Sequence, residues 1–268
     1  MKLSVNGAIA HASTGGRRHA EGRPWLVFLH GAGANHLAWV LQARALAYDG
    51  FNVLAPDLPG HYLSDGAPIE GIAAQARWVL DAMDAAGAAQ AVLVGHSQGG
   101  LIALEVARAA PQRVRGVVFI GTAAAIPVNP ALIETAENDE ERAFASMVSW
   151  ALGPDAHRHD NTWPGASHVN FGIETMRLNR AGTLAADLRS CAAYEGGIEA
   201  ARGLACPTLC IFARLDRMTP LKNGLALAAA LPDNETVIVE GSGHTLPTER
   251  PREVNAAIRR FLAKYLTA

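Results

Sequence analysis

A chain of 268 residues with a formal net charge of −2 and 50% hydrophobic residues is long enough to bury a full core without a partner. Near-neutral charge with no long basic run excludes the electrostatic footprint of a nucleic-acid binder, and no stretch reaches the ~20 apolar residues of a membrane span. Three cysteines, only Cys206 and Cys210 close in sequence, make no disulfide framework. The N-terminal MKLSVNGAIAHASTGG has no apolar run of signal-peptide length. A cytoplasmic protein is expected, working on a small molecule as a monomer or homo-oligomer, away from membranes.

Taken in chain order, the first strand-like run is Trp25 to Leu29, followed by the small-residue loop His30-Gly31-Ala32-Gly33-Ala34; the next is Asn52 to Ala55. A stripe of Ile72, Ala76, Val79, Leu80 and Met83 predicts a helix. Ala91 to Val94 and Val117 to Ile120 are again strand-like, as are Thr208 to Phe212 and Thr236 to Val239. These runs are apolar without alternation, as strands buried on both faces are. Thr219 as N-cap with Pro220 at the first helical position predicts a helix after the Thr208 run, and Pro251 opens a last one along Val254, Ile258, Phe261, Leu262 and Tyr265.

Strand and helix alternate, which predicts an α/β fold: a mostly parallel central sheet with helices on both faces. The alternation fails between Thr122 and Gly203, where no strand is evident and where Glu137-Asn138-Asp139-Glu140-Glu141, His157-Arg158-His159, Trp150, Trp163 and Met176 lie. A connection this long inside one domain has structure of its own or a function. The division expected is a core of residues 1–121 and 204–268 with a helical lid at 122–203, its acidic run a solvated helix face.

The sequence VLVGHSQGGLIAL, residues 92–104, places one serine between glycines at the junction of a strand and a helix. Gly95-His96-Ser97-Gln98-Gly99 fits G-x-S-x-G in the context that gives it meaning: a sharp turn that lifts a serine hydroxyl above the sheet while a helix N-terminus offers free N–H groups. Taken alone, the pattern also fits a serine N-cap. A serine needs a base to become a nucleophile, and the base needs a carboxylate to hold its tautomer. In the order serine, acid, histidine, those partners are Asp216, after the Thr208 run, and His244, in Gly241-Ser242-Gly243-His244 after the Thr236 run. The oxyanion donors expected are the backbone N–H groups of Ala32 and Gln98. His30, at a strand end before a turn, reads as a structural histidine.

At this point the sequence resembles the α/β-hydrolase superfamily, in its lid-bearing serine branch of esterases, enol-lactonases, cofactor-free haloperoxidases and carbon–carbon bond hydrolases. HGAGANHLAW (30–39), PDLPGHYLSDG (56–66), GHSQGG (95–100), PTLCIFARLDRMTP (207–220) and GSGH (241–244) carry the resemblance across the chain outside the lid. It implies the α/β-hydrolase fold, Ser97 as nucleophile, Asp216 as acid, His244 as base, and Ala32 with Gln98 as oxyanion hole. A serine at 97 separates the chain from the dehalogenase and epoxide-hydrolase branch, which has aspartate there. Tyr62 departs from the pattern, since the family usually has glycine at that position; its ring is expected to pack on the surface. Asp57 belongs to the same structural loop.

No cofactor or metal is implied. Cys206 and Cys210 are too far apart along a strand to share an ion, no cysteine or carboxylate completes a set with His157, His159 and His168, and the glycines at 95, 99 and 100 belong to the serine turn rather than to a nucleotide loop. The function expected is hydrolysis of an ester, lactone or thioester through an acyl-enzyme, in an apolar pocket drawing on Gly33, Ile126, Met147, Trp150 and Trp163. The alternatives are carbon–carbon hydrolysis, a lyase that uses the same triad, and a receptor of low turnover.

Overall fold

The structure, a computed structural model, describes residues 1–157 and 167–266. Its strands are β1 (Lys2–Val5), β2 (Ala8–Ser13), β3 (Trp25–Leu29), β4 (Asn52–Pro56), β5 (Ala91–His96), β6 (Val114–Ile120), β7 (Thr208–Ala213) and β8 (Asn234–Val239). They form one sheet in the order β1-β2-β4-β3-β5-β6-β7-β8. From β4 through β3 to β8 every pairing is parallel, while β1 and β2 add an antiparallel edge. That edge hairpin is absent from the sequence-based expectation. It turns at Asn6-Gly7, whose φ angles of 50° and 81° are the left-handed values this dipeptide favours.

The central runs do not alternate because each strand is buried twice. On β3, Leu26 and Phe28 enter one apolar core while Val27 and Leu29 enter the other. The core of Leu26 and Phe28 also takes residues of α1 (Val40–Tyr48), α11 (Leu246–Glu249) and α12 (Pro251–Tyr265), and that of Val27 and Leu29 takes those of α2 (Ile72–Ala86) and α3 (Gln98–Ala109). Val254, Ala257, Ile258, Phe261 and Leu262 form the buried stripe of α12; burying a ring such as Phe261 in full contributes about 1.5–3 kcal/mol. The parallel order brings the carboxyl ends of β3, β5, β7 and β8 to one edge of the sheet, where α/β folds place their sites.

Between β6 and β7 lie α4 (Pro130–Asn138), α5 (Glu140–Ala151), α6 (Pro154–His157), α7 (His168–Arg177), α8 (Thr183–Ala192) and α9 (Gly197–Arg202). Phe144, Met147, Val148, Met176, Leu184 and Leu188 give α5, α7 and α8 an apolar core of their own, against which Ala32 and Met218 pack. α9 packs on α3, and Ala200, Ala201 and Leu204 belong to the core beneath the sheet. The acidic run is a junction rather than one solvated face. Asp139 caps α5 through the Arg142 N–H, while Glu141 pairs with Arg177 and Glu137 with Arg189, exposed pairs that water and salt screen.

The helix expected from Thr219 starts later. α10 covers Leu221–Ala230 with Pro220 as its cap, and Thr219 is used elsewhere. Among the described residues no helix is long and apolar enough to cross a membrane.

Candidate active site

Ser97 stands between β5 and α3 with φ 52° and ψ −120°, a backbone region costly for a residue with a Cβ. The neighbouring glycines make the turn sterically possible. A Cβ on Gly95 would collide with the Gly99 carbonyl, and one on Gly99 with the Leu29 carbonyl of β3. The turn is pinned by the Ser97 N–H donating to the Ile120 carbonyl (3.0 Å) and by the Thr122 hydroxyl donating to the Ser97 carbonyl (2.8 Å).

Asp216 and His244 leave the ends of adjacent strands β7 and β8, and Asp216 Oδ2 lies 2.8 Å from His244 Nδ1. Thr219 donates its hydroxyl to Asp216 Oδ2 (2.8 Å), while the N–H groups of Met218 and Thr219 occupy Oδ1 (2.9 and 2.8 Å). Burial pushes the Asp216 carboxyl up, but attraction to His244 and the hydrogen bonds from His244 and Thr219 outweigh it and leave the group below its ordinary value. Asp216 is therefore a charged acceptor that fixes the Nδ1–H tautomer of His244 and leaves Nε2 without a partner among the described residues.

The His244 loop is braced by two groups that sequence reasoning missed. Glu249 accepts from the N–H groups of Gly243 (3.0 Å), Gly153 (2.9 Å) and Thr245 (3.2 Å), which ties the His244 loop to the turn between α5 and α6. His96 donates Nε2–H to the His244 carbonyl (2.9 Å). Burial, then repulsion from His244, lowers His96 to about 3, so it stays a neutral donor.

The other arm of the site is the loop after β3. Ala32 lines the same cavity as Ser97 and His244. Gln98, the first residue of α3, has an N–H with no carbonyl of its own helix to bond. His30 is structural: its ring meets the Gly31 carbonyl (3.0 Å) through Nδ1 and accepts the Leu58 N–H (3.3 Å) at Nε2. Burial and the neighbouring His61 lower it to about 4.

Residues 26–257 match the alpha/beta hydrolase family. The chain belongs to that family. Among curated relatives, it is 27% identical to the pimeloyl-[acyl-carrier protein] methyl ester esterase of Klebsiella pneumoniae, over 84% of this chain and 88% of the relative. It is 30% identical to the 2-hydroxymuconate semialdehyde hydrolase of Pseudomonas putida, over 79% of this chain and 77% of the relative. Among solved structures, the enol-lactonase from Burkholderia xenovorans LB400 superposes with a TM-score of 0.88 at 25% identity, covering 98% of this chain and all of that one.

In this hydrolase Ser97, His244 and Ala32 open onto a cavity of about 320 Å³ whose wall is largely apolar, from Ile126, Leu132, Met147, Phe171, Met176 and Leu188. Ile126 and Met147 line it. Trp150 does so from the rim, 48% exposed. Gly33 does not reach the wall: its N–H is engaged behind it by Asp187, and Leu184 and Met176 crowd its Cα. Trp163 and His159 fall outside the described residues.

Tyr62 keeps the left-handed φ, 37°, that suits the glycine usual in the family. Its ring stacks on His36 at 5.7 Å and is not part of the cavity wall. One group among the described residues has the composition of a metal site: His11, His36 and Asp57, with ligand atoms within 4.8 Å of one another. Both imidazole Nδ1 atoms and the His36 N–H converge on the buried Asp57 carboxylate at 2.7–3.1 Å, which satisfies it without an ion.

Proposed function

We propose that this hydrolase cleaves a carboxylic ester, lactone or thioester of small to medium size, using Ser97, His244 and Asp216. One observation carries the reading. A strained serine and a histidine held 2.8 Å from a buried carboxylate face a single, largely apolar cavity.

In the mechanism that follows, His244 Nε2 removes the Ser97 proton as Oγ attacks the carbonyl carbon, and the carbonyl electron pair moves onto oxygen. The N–H groups of Ala32 and Gln98 meet that oxyanion, while Asp216 stabilises the imidazolium. Collapse expels the alcohol or thiol, which takes its proton from His244. A water deprotonated by the same ring then cleaves the acyl-enzyme and restores Ser97. No step draws on a cofactor. Relatives named for an ester and a lactone support the bond type, and the apolar wall supports an aliphatic or aromatic acyl group. Free thiols at Cys191, Cys206 and Cys210 support work in a reducing compartment such as the cytoplasm.

The test is a panel of p-nitrophenyl esters, lactones and thioesters of graded acyl length, with fluorophosphonate labelling of Ser97. Turnover that survives Ser97→Ala would overturn the reading. A second reading, cleavage of a substrate that carries a carboxylate, rests on Arg217. It is the Lys or Arg side chain on a wall that has no Asp or Glu among the described residues. A panel member with a terminal carboxylate, and loss of any preference for it in Arg217→Met, separates the two.

A further inference from the structure

Asp187 lies in α8, in a segment to which the sequence assigns no part in the chemistry, and it is 0% exposed. Its carboxylate collects donors from three separate elements. Oδ2 accepts the backbone N–H of Gly33 (2.8 Å) and the ring Nε2 of His61 (3.0 Å); Oδ1 accepts the side-chain amide of Gln98 (3.1 Å). Gly33 follows Ala32 in the loop after β3, and Gln98 follows Ser97. One carboxylate of α8 thus holds the backbone next to Ala32 directly, and the residue after Ser97 through its side chain, from the side away from the cavity.

The cluster is charged but neutral in sum. His61 Nδ1 faces the Pro59 carbonyl (3.2 Å) and Nε2 faces Asp187. Both partners only accept, so both ring nitrogens carry protons and His61 is an imidazolium. The other titratable groups about it leave this charge in place: His30, whose ring centroid lies 4.6 Å away, is neutral, and the Asp57 charge attracts it. With its charge offset by His61, Asp187 can orient N–H groups near Ser97 without opposing the negative charge that develops there. A purely structural role has a simpler solution, because apolar side chains of similar volume commonly match a buried ion pair in stability.

We propose that Asp187 is a positioning residue that, paired with His61, holds the N–H groups of Ala32 and Gln98 on the oxyanion, so that the hole is complete only with the lid seated. This rests on the serine-hydrolase reading above. The lid then does more than enclose substrate: its seating and the assembly of the hole are one event, since a shift of α8 draws Gly33 and Gln98 with it.

The test compares wild type with Asp187→Asn, which keeps the shape and removes the charge. A trifluoromethyl ketone that adds to Ser97 reports the oxyanion hole, and the matching trifluoromethyl carbinol, which cannot add, reports the cavity alone. For p-nitrophenyl butyrate, kcat should fall about 10–100-fold with KM within about twofold. Ketone affinity should fall in step with kcat, and carbinol affinity should hold. Unchanged kcat and ketone affinity in folded Asp187→Asn, or equal losses for ketone and carbinol, would overturn the proposal.

If Asp187→Asn does not fold, Gln98→Met carries the test, since it cuts one tether and leaves the pair intact; a ketone-to-carbinol ratio equal to wild type would overturn the proposal. Ser97→Ala, run alongside, separates the two levels of inference. If it retains turnover, the serine-hydrolase reading fails. If it is inactive while the Asp187 and Gln98 variants behave as wild type, only the positioning role fails.

Discussion

Two buried Asp–His pairs among the described residues differ in what the second ring nitrogen meets. Asp216 and His244 come from neighbouring strand ends, and His244 lines the cavity with Nε2 unengaged among the described residues. Asp187 and His61 join α8 to the loop after β4, and both nitrogens of His61 face acceptors. The first geometry leaves a nitrogen able to gain and lose a proton. The second fixes a cation and spends its charge on holding backbone in place. The same two residue types thus make a proposed base in one region and a brace in the other, and the partner of one nitrogen decides which.

The largest effect expected separates the two regions outright. Ser97→Ala and His244→Ala should each lower kcat by about 10⁴-fold or more, and the double variant should lose less than about tenfold beyond either, because the residues act as one unit. Ester turnover measures this, with circular dichroism confirming the fold. Additive losses would mean that Ser97 and His244 contribute independently.

Stability against pH sharpens the comparison further. His30 and His96 are buried neutral, lowered to about 4 and about 3, whereas unfolded histidines titrate near 6.5. Below about pH 6.5 the unfolded chain takes up protons that the folded one refuses, so stability present above that pH is lost as pH falls. Fully developed, the losses are about 3 and about 5 kcal/mol for His30 and His96, out of a total of typically 5–15 kcal/mol. His61 has the opposite sign. Burial pushes it down, but Asp187 outweighs burial and leaves it raised, so its contribution is present at low pH and lost as pH rises through its folded pKa. Urea midpoints from pH 4 to 9 should give a steep acid limb in wild type and in His61→Gln, and a shallower alkaline limb in His61→Gln. An acid limb that stays flat to pH 4 would contradict the neutral assignments of His30 and His96.

What the sequence disclosed follows the same division. Ser97, Asp216 and His244 sit where strands end, a position that apolar runs mark, and their order along the chain is a pattern one can search. The β1–β2 hairpin has its signal in Asn6-Gly7 and in the alternation of Leu3 and Val5 with Ala10 and Ala12, but alanine is a weak strand marker and the pattern is faint. A threonine before a proline, as at Thr219, suits an N-cap, yet its hydroxyl goes to Asp216 and the helix begins at Leu221. Asp187 and His61, 126 positions apart, carry no local signal. Their meeting depends on how the lid docks, which no spacing encodes.

Thr219 therefore supplies a smaller prediction within the first pair. Thr219→Val keeps volume and removes the hydroxyl from Asp216 Oδ2, leaving the two backbone donors on Oδ1 in place. One hydrogen bond to a charged group is worth about 1.5–3 kcal/mol, and part of that falls on the transition state, so kcat should drop about fivefold to tenfold with KM unchanged. A raised KM at normal kcat would place Thr219 in substrate binding instead.

The smallest effects are expected from the cavity wall that α5 supplies, whose side chains have no part in the proposed chemistry. Met147 is buried on the cavity wall, whereas Trp150 is 48% exposed at its rim. Truncating Met147 to alanine adds volume inside the cavity, so longer acyl chains gain contact that shorter ones cannot use; one methylene in an apolar pocket discriminates by about 1–3 kcal/mol at most. The preference for octanoate over butyrate p-nitrophenyl esters should rise about threefold to tenfold in Met147→Ala, while Trp150→Ala, with half its surface already in water, should shift it less than about twofold. Fluorophosphonate labelling of Ser97 should proceed at the wild-type rate in both. A larger shift from Trp150 than from Met147 would mean that the acyl chain leaves along the rim, with its selectivity set by the surface of α5 and not by the enclosed wall.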